Sequence, residues 1–135
     1  MEKQCRIIKP GGSYEGKQAF TYFSGISAEN TGSTGICMHL LVIPSGQRAK
    51  AHLHESHETA IYVLDGPGYM YYGQNLEHHM EINTGEYLYI PEGVPHLPYN
   101  PSETKSITAV IARTDPNEQE SVVLRPDLDS IHFDD

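Results

Sequence analysis

The sequence predicts an all-β fold, an antiparallel sandwich or barrel of short strands. Three observations carry this. Runs rich in β-branched and aromatic residues recur along the chain with turn residues between them. No window keeps apolar residues at spacings of 3, 4 and 7 through three turns, so no long amphipathic helix is expected. Twelve glycines and nine prolines in 135 residues exceed the usual share of turn formers, which suits many turns and short strands.

The elements follow in order. Residues 1–34 are read as an N-terminal lead-in, and residues 24–35 (SGISAENTGSTG), polar and Gly-rich, as a long loop or the end of that lead-in. Residues 36–43 (ICMHLLVI) form a strand ended by Pro44-Ser45-Gly46. Residues 59–64 (TAIYVL) form another, ended by Asp65-Gly66-Pro67-Gly68. Residues 69–72 and 76–82 flank Gly73-Gln74-Asn75 and read as a hairpin. After the turn Asn83-Thr84-Gly85 come strands over 87–90, stopped by Pro91, and 105–113 (KSITAVIAR). A short last strand is expected over 121–124, then an acidic surface arm over 125–135. The whole is read as one domain over 1–135, with its core over about 36–113.

Nine Lys and Arg against eighteen Asp and Glu give a net charge of −9. Such a surface repels phosphate backbones and anionic lipid, so neither a nucleic-acid nor a membrane partner is expected. No apolar run approaches the roughly 18 residues that span a bilayer. The opening MEKQCRIIKP lacks the apolar stretch of a secretory signal. Cys5 and Cys37 are too few for a disulfide scaffold and read as reduced thiols in a cytoplasmic protein. Cys37 sits in an apolar strand with no basic neighbour in sequence, the setting of an inert thiol. Neither phosphate-cradling glycine motif occurs in the chain.

Six of the eight histidines fall between residues 52 and 96. In a strand, His52 and His54 point to one side. Two imidazoles on one face are an arrangement that suits a metal ion. The segment from Gly46 through His52 and His54 to Glu58 fits G-x5-H-x-H-x3-E. The segment Gly85, Pro91, Gly93, His96, Asn100 fits G-x5-P-x-G-x2-H-x3-N at every fixed position.

In these two motifs the chain resembles the cupin superfamily, and more loosely a set of small single-domain bacterial cupins without an assigned activity. The resemblance covers about residues 36–113. It implies a double-stranded β-helix, the jelly-roll barrel, with a metal between its sheets. Carried over residue by residue, the implied ligands are His52, His54, Glu58 and His96. Three imidazoles and one carboxylate suit one divalent Mn, Fe, Ni, Co or Zn ion per chain without choosing among them. The resemblance also implies a homodimer.

The fourth ligand is where the sequence departs from the family. The family pattern has six residues between the glutamate and the glycine after its strand, but Glu58 and Gly66 enclose seven. Alternation counted back from Gly66 groups His57, Thr59, Ile61 and Val63 on one face and Glu58 on the other. A bulge near Glu58 would return it to the site. Without one, His57 is better placed.

Other residues are candidates of lesser weight. Arg48 and Lys50 share parity with His52 and His54 and could hold a substrate carboxylate, or be solvated residues at a strand end. His78 and His79 lie on opposite faces of a hairpin strand and read as surface residues. Tyr62, Tyr69, Tyr71, Tyr72, Tyr87, Tyr89 and Tyr99 supply the large amphipathic area in a chain without Trp, mostly as packing. Gly93 and Pro95 shape the turn before His96, and Asn100 is expected to bond backbone.

The functional expectation is a metal-dependent enzyme of dioxygenase, decarboxylase or isomerase type, acting on a small polar molecule that chelates the ion. The alternative is a non-catalytic cupin that binds a sugar or metabolite.

Overall fold

The computed structural model describes residues 2–10, 12–17, 20–117 and 121–133. Eleven strands among these form two antiparallel sheets. The strands are β1 (Ser13–Glu15), β2 (Thr21–Ile26), β3 (Cys37–Ile43), β4 (His52–Leu53), β5 (Thr59–Asp65), β6 (Gly68–Tyr72), β7 (His78–Ile82), β8 (Tyr87–Ile90), β9 (His96–Tyr99), β10 (Ile107–Arg113) and β11 (Val123–Leu124). One sheet has the order β1-β2-β3-β10-β5-β8, the other β11-β4-β9-β6-β7. Two facing antiparallel sheets of this kind are a jelly roll, and the sheets are not joined into a closed barrel.

Strict alternation builds the large sheet. In β3, Cys37, His39, Leu41 and Ile43 are buried, and in β10, Ile107, Ala109, Ile111 and Arg113 are. The register pairs Arg113 with Cys37 on one side and with Thr59 on the other. Phe20, Tyr22, Leu41, Ile43, Ala49, Ile107 and Ile111 form one core cluster, and Val63, Met70, Ile82 and Ile90 another. Each such large apolar side chain contributes about 1.5–3 kcal/mol by burial.

The N-terminal region differs from its expected form. The loop expected over 24–35 instead holds the end of β2 and a one-turn helix, α1 (Ala28–Thr31), capped by Ser27 and Asn30. Polar and glycine content suggested a loop, but tertiary pairing with β3 overrides it. Gly25 is there because its backbone approaches β3 so closely that a Cβ would overlap the Met38 carbonyl oxygen.

The C-terminal arm lies across the outer face of the small sheet. Leu128 is buried with Ala51, Leu76 and Leu97. The Asp129 carboxylate accepts the Ala51 N–H at 2.7 Å, and its carbonyl accepts the Arg48 guanidinium at 2.7 Å. His132 stacks on Tyr71 at 3.7 Å. Asp134 and Asp135, the end of the expected acidic arm, lie outside the described residues.

Candidate metal centre

Three histidines converge between the sheets. His52 lies in β4 and is the direct cross-strand partner of His96 in β9, which brings their rings to 4.2 Å. His54 follows two residues on, with its ring 5.2 Å from His52 and 5.1 Å from His96. All three are buried. One nitrogen from each lies within 4.8 Å of the others.

The turn before β9 delivers His96. Gly93 takes φ 77, a left-handed conformation that glycine adopts without strain, and its N–H donates to the His54 carbonyl at 2.7 Å. Asn100 closes the same motif by donating to the Ile43 and Lys105 carbonyls, as expected.

Backbone contacts also fix the tautomers. Nδ1 of His52 lies 2.7 Å from the Lys50 carbonyl and Nδ1 of His96 lies 2.9 Å from the Val94 carbonyl. A carbonyl only accepts, so each Nδ1 carries the proton and each Nε2 keeps its lone pair. This is how metal-binding imidazoles are oriented.

Electrostatics favour the neutral rings. Burial, then the neighbouring His96 and His54, hold His52 well below the ordinary imidazole value, against the opposing bond to Lys50. Burial pushes His54 down to about 2, helped by His96, Arg113 and His57. Burial likewise pushes His96 down to about 4, against the bond to Val94. Neutral imidazole is the metal-binding form, so no proton need leave at neutral pH. The donor set therefore fits a divalent transition ion.

Glu58 is not brought to this group. It is exposed, and its carboxylate accepts the Tyr89 hydroxyl at 2.9 Å. The reason is register. Thr59 through Tyr62 pair without a break against β8, and Thr59 through Val63 against β10. A bulge does exist in β5, but the register shifts between Thr108 and Ala109, at the Gly66 end of the strand. That accounts for the extra residue before Gly66 and leaves Glu58 facing outward. His57 is buried beside the three, its ring 4.5 Å from His54 and its Nδ1 3.7 Å from an Asp115 carboxylate oxygen.

The lesser candidates divide cleanly. Lys50 is exposed, and Arg48 is turned outward, 4.6 Å over the Phe133 ring. Neither lines the cavity, because β4 begins only at His52 and the run before it does not alternate as a strand. His78 and His79 are both exposed. Of the tyrosines expected mostly to pack, Tyr69 reaches the cavity, but its hydroxyl donates to Glu81.

The cavity beside the three histidines is about 60 Å³ and is otherwise mostly aliphatic. It is also lined by Thr59, Tyr22 and Arg113. Arg113 is buried, with its guanidinium 5.2 Å over the Tyr22 ring. Sequence reasoning passed over Arg113 and Tyr22. The parity of β10, counted inward from Ile107, would have placed Arg113 inside.

The family profile described as "Cupin domain" matches residues 39–111. This chain is a cupin. No curated protein matches it in sequence. Solved structures share the cupin's fold at low identity. Oxalate decarboxylase from Bacillus subtilis is 17% identical with a TM-score of 0.65, over 87% of this chain and 29% of that one. The DMSP lyase DddQ from Ruegeria pomeroyi is 18% identical with a TM-score of 0.55, over 68% and 44%. A protein described as a provisional sugar phosphate isomerase, from Acidithiobacillus ferrooxidans, is 21% identical with a TM-score of 0.59, over 76% and 66%. The cupin thus spans less than two thirds of the length of each. Another structure of the Bacillus enzyme is described by its Mn(II) centres.

Proposed function

We propose that this cupin is a metal-dependent enzyme in which His52, His54 and His96 hold one divalent transition ion. The observation that carries the reading is the convergence of three buried, neutral imidazoles, two of them with Nδ1 tied to backbone. A bound ion would act as a Lewis acid at positions the protein leaves open. The aliphatic walls around it exclude water and strengthen polar contacts inside. The substrate is a small polar molecule that chelates through oxygen, and the reaction is a dioxygenation, decarboxylation or isomerisation. The enzymatic character of the structural neighbours supports this class.

The reading includes a cytoplasmic homodimer. Both Cys5 and Cys37 are free thiols, in keeping with a reducing compartment. Among the described residues no helix is long and apolar enough to cross a membrane. Exposed Met38, Leu64, Tyr87 and Tyr89 on the outer face of the large sheet supply apolar surface for a partner copy.

Elemental analysis of protein purified without chelators tests the site. One equivalent of metal is expected in the wild type, lost on changing His52, His54 or His96 to Ala. Undiminished metal in all three variants refutes it. Incubating the loaded protein with small dicarboxylates, enols and diols, followed by NMR, tests the enzyme reading. Binding without turnover of any would identify a binding cupin instead.

A further inference from the structure

We infer that the Thr59 hydroxyl donates a hydrogen bond to an anionic oxygen ligand on the open side of the three-histidine centre, and so helps to position the substrate's oxygen there. The inference rests on the metal reading above and adds a substrate-binding residue to that same cavity.

Register puts Thr59 in the cavity. It is the first residue of β5, paired with Ile90 of β8 on one side and with the end of β10 on the other. From there the strand turns Thr59 and Val63 inward and leaves Ala60 exposed, as it leaves Glu58 just before it. Thr59 is 3% exposed and lines the same cavity as His52, His54 and His96. The strand that starts beside the centre therefore presents a hydroxyl where a carboxylate would have stood, had the bulge in β5 fallen at Glu58.

That hydroxyl is buried and has no hydrogen-bond partner among the described residues. The Tyr69 hydroxyl, on a residue of the same cavity wall, is by contrast committed to Glu81. Ile61, Val63, Ile90 and Ile111 in that wall offer no side-chain acceptor. A buried polar group left unpaired is costly, and in native structures such groups are ordinarily met by something bound.

The chemistry of the centre says what that is. Three neutral imidazoles bring no negative charge, and among the described residues that line the cavity there is no carboxylate. A divalent ion held by them keeps its full charge in a mostly aliphatic cavity, where unmet charge is costly. An anionic oxygen from outside offsets it. A threonine hydroxyl has one hydrogen to donate, and its bond to an anionic oxygen is stronger than one to a neutral oxygen. A cavity of about 60 Å³ limits the ligand to a few heavy atoms near the ion. A small carboxylate or enolate meets these conditions.

The test uses the full chain loaded with Co(II) and titrated with acetate, with the visible spectrum reporting the ion's surroundings. Thr59→Val keeps the shape and removes the hydroxyl, and Thr59→Ser keeps the hydroxyl. Acetate is expected to bind Thr59→Val at least about fivefold more weakly than the wild type, and Thr59→Ser within about twofold of it. Co(II) stoichiometry should be unchanged in both. Urea unfolding of the metal-free proteins gives a readout that needs no ion. The Thr59→Val midpoint should be no lower than that of the wild type, because an unpaired hydroxyl holds no bond to lose.

Equal acetate affinity in the wild type and Thr59→Val overturns the inference, as does a Co(II)-loaded wild type that binds no acetate. A Thr59→Val protein that fails to fold, or unfolds at clearly lower urea, shows a structural hydroxyl and overturns it too. A loss in Thr59→Ser as large as in Thr59→Val also counts against it, since the hydroxyl is still present. A wild type that takes up no Co(II) refutes the metal reading and this inference with it, an outcome distinct from each of the others.

Discussion

Lowering the pH from 7.5 to 5.0 is expected to destabilise the metal-free protein by about 4 kcal/mol. The magnitude follows from two buried rings. His54 and His96 have folded values of about 2 and about 4, against an ordinary value of 6.5. At pH 5 the unfolded chain therefore binds a proton at each ring that the folded chain refuses. The folded values are depressed, so stability is present above pH 6.5 and is lost as pH falls below it. Because both folded values lie below 5, the loss at pH 5 is set by the 1.5 units between 5 and 6.5, about 2 kcal/mol per ring. His52 shifts in the same direction and adds to the effect. Against a total stability of roughly 5–15 kcal/mol, this is a large fraction. The assay is urea unfolding of chelator-treated protein at the two pH values, where the midpoint should fall by about 2 M. Unfolded carboxylates titrate mainly below pH 5, so the window isolates the histidines. His96→Asn keeps a donor near the Nδ1 position and should recover about 2 kcal/mol of the loss. A midpoint unchanged between pH 7.5 and 5.0 refutes the reasoning.

Three further outcomes follow from the geometry. Glu58→Ala should leave metal affinity within about twofold in a chelator-competition titration, and His57→Ala should weaken it more, because only His57 lies beside the centre; the reverse order would return the ligand position to Glu58. Leu97→Ala should cost about 2–5 kcal/mol in urea unfolding, since Leu97 is fully buried against Ala51, Leu76 and Leu128. Asp129→Ala should cost about 1–3 kcal/mol by stranding the N–H of Ala51, itself fully buried, with near-wild-type stability counting against the strap as drawn.

The strands from β3 to β10 were legible wherever alternation and turn chemistry agreed. Residues 36–43, 59–64 and 87–90 lie within a residue of β3, β5 and β8. β9 was legible only as a motif, because His96–Tyr99 contains a proline and is too short to show a period. β1 and β2 were missed, since short strands in a polar, Gly-rich stretch show their character only through pairing, β2 with β3 and β1 with β2. At the centre, His52, His54 and His96 could be named because their spacing is a motif. The outward turn of Glu58 was foreshadowed by one extra residue before Gly66, yet sequence could not say at which end of β5 the bulge lies. Arg113 was hidden by its chemistry, since a cation at a strand end reads as solvated until the opposite strand is seen to cover it.

The clasp on β4 has a consequence for the order of assembly. β4 is two residues long, held by one rung to β9 and by two to β11. Its approach is pinned by Asp129, 78 residues later than Ala51. During synthesis His52 leaves the ribosome well before residues 123–129, which fasten its strand. A contact of such long sequence separation forms late, after the loop-closure cost has been met. An ion that needs His52 held in place would therefore be taken up only after residues 123–129 have been made. Chains released before residue 123 would carry all three histidines and still lack the strand that pairs with His52.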